Sequence, residues 1–315
     1  MNEITRTPGE IPFLSLREPV RVTRDVIYGE GGVDFTPGKG PGRHRILRLD
    51  VYEPERPAPH PRPALVLAFG GAFHRGTKES DEFGDNEGMS TPVSEYCQLF
   101  AERGYVCFSI DYRLTQENPD PGVTPVLVPG EPMNKDRVNV VRAMQGLPPA
   151  TDVELANGIE AATDDMVKAV YFVRSRSRGY NVDISRIAIG GFSAGAIISL
   201  SAAFIERIPV KAVVSISGRI SASARETCMT GAGDEPAVLM FVGERDLPVI
   251  LDGADETVAH MERVGIRHRF ARLPGATHFY PKTTRVPAAK GSEERDIEST
   301  IAGFLYDALD LHSVA

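Results

Sequence analysis

The sequence predicts an α/β protein in which helices cover both faces of a mostly parallel sheet. Short runs that are apolar at nearly every position recur along the chain, as in residues 64–69 and 210–216, and such runs are typical of strands buried on both faces. Segments with apolar residues at helical spacing lie between them, for example Met166, Val170 and Val173. Strands that alternate with helices in this way indicate a parallel sheet.

The elements of this alternation can be placed in order along the chain. Residues 28–42 are too rich in glycine and proline for regular structure, and residues 47–52 alternate apolar and polar side chains, which predicts an antiparallel edge strand. Further predicted strands span residues 64–69, 105–110, 186–191, 210–216, 237–242 and 267–273. The predicted helices span residues 94–103, 162–177, 196–206, 256–264 and 293–309.

Residues 115–156 interrupt the alternation. They are rich in proline, and only residues 136–144 have a helical pattern. An irregular insert of this length within a compact domain is usually functional or disordered. We therefore predict a single α/β domain over residues 1–315 with a cap-like insertion at residues 115–156 that covers a site; the alternative is a plain surface elaboration.

The composition limits the classes of partner. Of the 315 residues, 42% are hydrophobic, which is enough for a sizeable core. The net charge of −8 argues against nucleic-acid and anionic-membrane partners and favours a small neutral or weakly polar substrate. No apolar run has the length of a membrane span, and the N-terminal residues do not resemble a signal peptide, so we expect a cytoplasmic protein. The three cysteines lack CxxC spacing, so neither a disulfide framework nor a zinc site is predicted.

A serine between glycines follows the predicted strand at residues 186–191. The stretch reads GGFSAGA over residues 190–196, and its Gly-x-Ser-x-Gly pattern alone is a modest signal because glycines also form ordinary turns. Its place is more specific, because parallel sheets carry their chemistry at the carboxyl ends of the strands. Gly191 and Gly195 leave room for a strained strand-to-helix turn. We therefore predict that Ser193 is a nucleophile.

A serine hydroxyl is a weak nucleophile at neutral pH, so it needs a base and a group that orients the base. Among the seven histidines, His278 lies in a glycine-containing loop just after the last predicted strand and is the predicted base. We interpret His74 as a pocket-wall residue and the other five as solvated or structural. Asp246, after the strand at residues 237–242, is the preferred orienting carboxylate, and we expect Glu244 to point to solvent.

The chain order Ser193, Asp246, His278 is one of the orders in which this triad occurs, and it is the order found on sheets of this class. A second glycine-rich stretch, AFGGAF at residues 68–73, follows another buried strand. In isolation a Gly-Gly pair is ordinary turn chemistry. Together with the triad, it predicts an oxyanion hole formed by the backbone N–H groups of Gly71, Ala72 and Ala194.

With these motifs the sequence resembles the esterase and lipase branch of the α/β-hydrolase superfamily, the carboxylesterases with an HGGG or GGGx oxyanion loop. The matching stretches are LRLDVYEP, AFGGAF, SIDYRL, RIAIGGFSAGA, VGERDLPV and GATHFY. The resemblance implies the α/β-hydrolase fold, the same triad and oxyanion donors, and a structural role for Arg113 of DYRL in bracing the loops behind the site. Phe69 stands where many relatives have histidine, and Ala72 stands at the third glycine.

The predicted function is that of a serine carboxylic-ester hydrolase that acts through an acyl-enzyme on short-acyl or small-molecule esters, without a metal or organic cofactor. Amide, peptide, lactone and thioester hydrolysis use the same triad and are alternatives, and a non-catalytic binding protein on this fold is another. We interpret the acidic stretch at residues 78–88 as a solvated loop, because its spacing does not match a calcium loop. We place Asp164 and Asp165 on the exposed face of a helix.

Overall fold

The computed structural model describes residues 11–122, 133–288 and 294–313. Its centre is an eight-stranded sheet with the order β1-β2-β4-β3-β5-β6-β7-β8. The strands are β1 (Val20–Val33), β2 (Arg43–Pro54), β3 (Arg62–Ala68), β4 (Val106–Ile110), β5 (Val182–Phe192), β6 (Ala212–Ile216), β7 (Ala237–Gly243) and β8 (His268–Leu273). β2 pairs antiparallel with β1 and β4, and the other neighbours are parallel. The predicted fold class is confirmed.

Helices cover both faces of this sheet. They are α1 (Val93–Glu102), α2 (Asp136–Met144), α3 (Asp152–Ser175), α4 (Ser177–Tyr180), α5 (Ala194–Phe204), α6 (Ala222–Cys228), α7 (Pro248–Val264) and α8 (Ile297–Ala308). The α3 and α5 helices pack together on one face, while Phe100 of α1 and Ile301 of α8 line a small apolar cavity over β3 and β6 on the other. This double cover explains why every residue of β3, β6 and β7 is buried.

Two short strands and two single turns complete the described structure. Arg285–Val286 (β9) pairs antiparallel with Arg295–Asp296 (β10), and 3₁₀ turns span Thr115–Glu117 and Leu311–Ser313. Among the described helices, none is long and apolar enough to cross a lipid bilayer. All three cysteines are free thiols.

The first strand corrects the prediction for residues 28–42, because residues 28–33 belong to β1. β1 is therefore the edge strand, and β2 lies inside it. One of the glycines that argued against a strand, Gly31, allows the Arg113 side chain to pack against the strand backbone. A Cβ on Gly31 would lie 2.4 Å from the Arg113 Nε. A glycine in a strand often marks such a contact, which sequence periodicity does not reveal.

The predicted insertion contains more regular structure than expected. The α2 helix has the predicted bounds, but α3 begins at Asp152 rather than near residue 162, and the Thr151 side chain caps it together with Glu154. Residues 123–132 lie outside the described part of the chain. The cap-like role of residues 115–156 and the single-domain organisation therefore stay predictions.

Arg113 is buried at the centre of a polar cluster. Its guanidinium donates to Asp165 at 2.8 to 3.1 Å and to the carbonyl oxygens of Gly32 and Asp120. The exposed position predicted for Asp165 is wrong, because its carboxylate is fully buried, while Asp164 remains half-exposed. A carboxylate is buried only where a cation and hydrogen bonds compensate its lost hydration, and Arg113 supplies both from 52 residues away.

Candidate active site

Ser193 occupies the sharp turn between β5 and α5. Its backbone has φ 52° and ψ −111°, a conformation that is strained for a residue with a side chain. A Cβ on Gly191 would lie 2.3 Å from the Ala68 carbonyl oxygen, and one on Gly195 would lie 1.9 Å from the same atom. Both positions therefore exclude a side chain, which is the physical reason for the two glycines around the serine.

The structure brings the three predicted triad residues together at the carboxyl ends of β5, β7 and β8. The His278 Nε2 lies 2.9 Å from the Ser193 Oγ, and the His278 Nδ1 lies 2.6 Å from the Asp246 Oδ1. His278 and Asp246 are buried, while Ser193 is partly exposed. Glu244 is exposed, as expected, and its carboxylate accepts a hydrogen bond from the Gly275 N–H. The geometry is that of a nucleophile, a base and an orienting carboxylate.

Asp246 is held by further donors. The Asp246 Oδ2 accepts from the Ser217 hydroxyl at 2.6 Å and from the Gly243 N–H at 3.2 Å, and the Oδ1 accepts from the Leu247 N–H at 2.7 Å. These hydrogen bonds leave Asp246 little freedom to turn away from His278.

Two residues of this network were missed by sequence reasoning. Because the Ser217 hydroxyl donates to Asp246, its Oγ accepts from the Tyr280 hydroxyl at 2.7 Å, and the Tyr280 oxygen also lies 3.2 Å from the Phe241 carbonyl oxygen. Burial raises the pKa of Tyr280 well above its ordinary value, so the phenol stays neutral. The signal available in the sequence was the position of Ser217, which comes directly after the predicted strand at residues 210–216.

The loop after β3 contains two of the three predicted oxyanion donors. Gly71, Ala72 and Phe73 all have positive φ, and a Cβ on Gly71 would lie 2.0 Å from the Arg75 carbonyl oxygen. Within the described residues, no acceptor takes the N–H of Gly71 or Ala72. The N–H of Ala194 lies in the first turn of α5, where a helix offers no acceptor of its own. The three donors remain a prediction.

A stacked aromatic pair supports this loop from behind. The rings of Phe69 and Tyr112 lie 4.2 Å apart, and the Tyr112 hydroxyl contacts the carbonyl oxygens of Phe69 at 3.0 Å and Gly70 at 3.1 Å. Phe69, which stands where many relatives have histidine, is therefore a packing residue here. The hydroxyl orients the peptide units that lead into the loop.

His74 corrects the expectation of a pocket-wall residue. It is fully buried and does not line the cleft at Ser193. Burial lowers its pKa, so the ring is neutral; the Nδ1 donates to the Ala72 carbonyl oxygen at 2.7 Å, and the Nε2 accepts from Arg142 at 3.2 Å. His74 thus holds the peptide of Ala72 rather than a substrate.

A cleft lies at Ser193. It is lined by Gly71, Ala72, Arg75, Phe83, Arg137, Val141, Phe192, Ser193, His278 and Phe279. Arg137 and Val141 belong to α2, so part of the predicted insertion borders the cleft.

The acidic stretch at residues 78–88 is only partly the solvated loop that the sequence predicts, because Lys78 and Asp81 are buried. The Lys78 Nζ lies 2.9 Å from Asp50 and 3.1 Å from Asp25, and it also contacts Glu79. These three carboxylates converge closely enough to hold a metal ion. The Lys78 ammonium lies among them, and Arg24 also pairs with Asp50 at 2.5 Å, so two cations offset part of the charge of the three carboxylates.

Asp81 connects the loop after β3 to the start of α1. Its carboxylate accepts from the Val93 N–H at 2.9 Å and from the Gly70 N–H at 3.4 Å. Burial raises the pKa of Asp81 from 3.8 to about 7, and the two backbone donors only partly offset this effect.

We expect the Asp81→Asn variant to gain stability relative to the wild type as the pH rises from 5 to 8. The folded protein binds the Asp81 proton more tightly than the unfolded chain does. Protonation of Asp81 therefore stabilises the folded wild type most at low pH, and this stabilisation is lost as the pH rises through about 7. The relative gain is roughly 2 kcal/mol in the free energy of unfolding, measured by urea denaturation. The exposed Glu82→Gln variant is the control, and a gain independent of pH would contradict the assignment.

Comparison with known proteins agrees with this architecture. Residues 143–284, a little under half of the chain, match the family model described as Phospholipase/Carboxylesterase. The search of curated proteins finds no significant match. Esterase 2 of Thermogutta terrifontis phosphorylated by paraoxon is similar with a TM-score of 0.58 and 17% identity, covering 99% of this chain and 98% of its own. Its propionate-bound form has a TM-score of 0.56 and 18% identity, covering 92% of this chain and 94% of its own.

At such low identities the structural likeness establishes the fold. The chain has the α/β-hydrolase fold, and its predicted resemblance to esterases of that superfamily is confirmed. The family match supports a hydrolase of the esterase type.

Proposed function

We propose that the protein is a serine carboxylic-ester hydrolase that acts on short-acyl or small-molecule esters through an acyl-enzyme. The observation that carries the proposal is the continuous chain from the Ser193 Oγ through the His278 ring to the Asp246 carboxylate, with contacts of 2.9 and 2.6 Å. Such a chain raises the nucleophilicity of a serine hydroxyl at neutral pH.

In the first step, the His278 Nε2 takes the Ser193 proton while the Oγ attacks the ester carbonyl carbon. The carbonyl oxygen becomes an oxyanion, which the N–H groups of Gly71, Ala72 and Ala194 stabilise. The intermediate then expels the alcohol, which leaves with the proton from His278. Asp246 remains ionised and holds the Nδ1–H tautomer, so that the Nε2 is free to accept a proton.

In the second step, His278 takes a proton from water and the resulting hydroxide attacks the acyl-enzyme. A second oxyanion forms and collapses, the acid is released, and Ser193 recovers its proton. Preference for short acyl groups is supported by the structural relative, which has been solved with propionate bound. We also propose that the protein acts in the cytoplasm.

A serine-directed fluorophosphonate tests the proposal directly. We expect stoichiometric labelling, with the modified peptide located at Ser193 by mass spectrometry, because only an activated serine reacts. On 4-nitrophenyl esters we expect higher kcat/KM for acetate, propionate and butyrate than for octanoate or decanoate. A protein that is neither labelled nor active on any of these esters would be a binding protein, and an optimum at the long chains would contradict the short-acyl preference.

A further inference from the structure

Two arginines line the cleft that contains the predicted nucleophile. Arg75 follows the oxyanion loop, and Arg137 is in the first turn of α2. They border the cleft together with Ser193 and His278. The protein has a net charge of −8, so its candidate active site carries a local charge opposite to that of the whole chain.

Neither arginine has an ion-pair partner in the part of the chain that the structure describes. The Arg75 Nε is buried without a hydrogen-bond acceptor. Asp85 attracts Arg137 through its charge but forms no ion pair with it. By contrast, the neighbouring Arg142 contacts Glu154 at 3.5 Å.

Burial of these guanidinium groups is unfavourable without a counter-charge. Burial lowers the pKa of both arginines, and the nearby Arg75 lowers the pKa of Arg137 further. An arginine keeps its charge in proteins nevertheless. A buried or partly buried charge is usually compensated by a partner, and here the open cleft is where such a partner can bind.

Aromatic rings hold both side chains in position. The Arg75 guanidinium lies 4.5 Å from the centre of the Phe83 ring, and the Arg137 guanidinium lies 5.3 Å from the centre of the Phe279 ring. Stacking on a ring face orients the planar guanidinium and leaves its N–H groups available. Such a group binds a carboxylate through two parallel hydrogen bonds.

We propose that the ester substrate carries a carboxylate, which Arg75 and Arg137 bind next to Ser193. The proposal rests on the proposed ester hydrolysis and narrows its substrate class, and it replaces the neutral substrate that the overall charge favoured. The carboxylate is part of the acyl group in a monoester of a dicarboxylic acid, or part of the leaving alcohol in an ester of a hydroxy acid.

The test compares matched anionic and neutral esters. Monoethyl succinate and ethyl pentanoate place the difference in the acyl group, while 4-acetoxybenzoate and 4-acetoxyacetophenone place it in the leaving group. The readout is the ratio of kcat/KM for the anionic ester to that for its neutral counterpart, so any general loss of activity cancels.

We expect Arg75→Gln and Arg137→Gln each to lower this ratio about tenfold or more for at least one of the two pairs of esters. A change of that size corresponds to the loss of one charge-assisted hydrogen bond. The Arg→Lys variants keep the charge but lose the planar fork, so their loss should be smaller. Higher ionic strength should lower the wild-type ratio. The control is Arg178→Gln, an exposed arginine in α4 beside the start of β5, whose ratio should equal that of the wild type.

A direct binding measurement separates recognition from chemistry. Calorimetric titration of the Ser193→Ala variant with monoethyl succinate and with 4-acetoxybenzoate should show binding of at least one ester, which weakens about tenfold when Arg75→Gln is added. Thermal unfolding of each variant verifies that it is folded.

The outcomes distinguish the two proposals. Unchanged ratios and unchanged binding in the folded arginine variants would overturn the carboxylate inference, while labelling of Ser193 and hydrolysis of neutral esters would leave the proposed function intact. Absence of labelling and of hydrolysis of all four esters would overturn the proposed function itself. The pair whose ratio changes identifies the side of the ester that carries the carboxylate.

Discussion

The Ser193→Ala variant is expected to lower kcat for short-acyl esters by about four to six orders of magnitude. Without the Oγ no acyl-enzyme can form, and the residual rate comes only from binding and the oxyanion donors. The effect should appear in kcat, with little change in substrate affinity, because the hydroxyl acts on the transition state. Stopped-flow and steady-state assays on 4-nitrophenyl propionate measure it, together with loss of fluorophosphonate labelling.

A matched control is Ser175→Ala, at the exposed end of α3 next to the start of β5. This variant should retain the wild-type kcat and labelling. If Ser193→Ala kept more than a few per cent of the activity in a folded protein, the nucleophile would have been assigned to the wrong residue.

The Asp246→Asn variant is expected to lower kcat by about four orders of magnitude at neutral pH. Asp246 accepts from the His278 Nδ1 at 2.6 Å, and its other contacts with Ser217 and Leu247 fix the carboxylate in place. An asparagine can present its NH₂ group to the Nδ1, which favours the tautomer that carries the proton on the Nε2. That tautomer cannot accept the proton of Ser193.

Glu244→Gln provides the comparison, because Glu244 follows the same strand and was the competing candidate. Its carboxylate is exposed and accepts from the Gly275 N–H, a bond that an amide oxygen can also accept. We expect the activity of this variant to stay within a few-fold of the wild type. A larger loss in Glu244→Gln than in Asp246→Asn would reverse the choice between the two carboxylates.

Local sequence patterns predicted much of the architecture and the candidate triad. The apolar runs identified β3 to β7, since a strand covered on both faces must be apolar at almost every position. The alternating pattern of residues 267–273 identified β8. Because the carboxyl ends of parallel strands lie at one edge of a sheet, residues that follow three different strands were expected to meet. In the structure, His278 lies within hydrogen-bond distance of both Ser193 and Asp246. Their catalytic roles stay a prediction for the experiments above.

Other features depend on contacts between distant parts of the chain. The glycines in residues 28–33 argued against a strand there. Gly31 is needed because Arg113, 82 residues further along the chain, fills the space that its side chain would occupy. Asp165 looked like an exposed helix residue, and only its pairing with Arg113 explains its burial. Hydrophobic periodicity predicts which face of a helix or strand is apolar. It does not predict which polar side chain of another helix, strand or loop contacts that element.

The sequence by itself therefore determined the class of fold and the position of each triad candidate at the end of a strand, because both follow from short-range periodicity and from the geometry common to parallel sheets. Only the tertiary structure decided that Ser217 and Tyr280 support Asp246 and that His74 holds the loop after β3. It also decided that Arg75 and Arg137 share the cleft with Ser193. The physical reason is that hydrogen bonds, ion pairs and clefts are formed by side chains from separate elements, and their meeting depends on topology and packing rather than on local pattern.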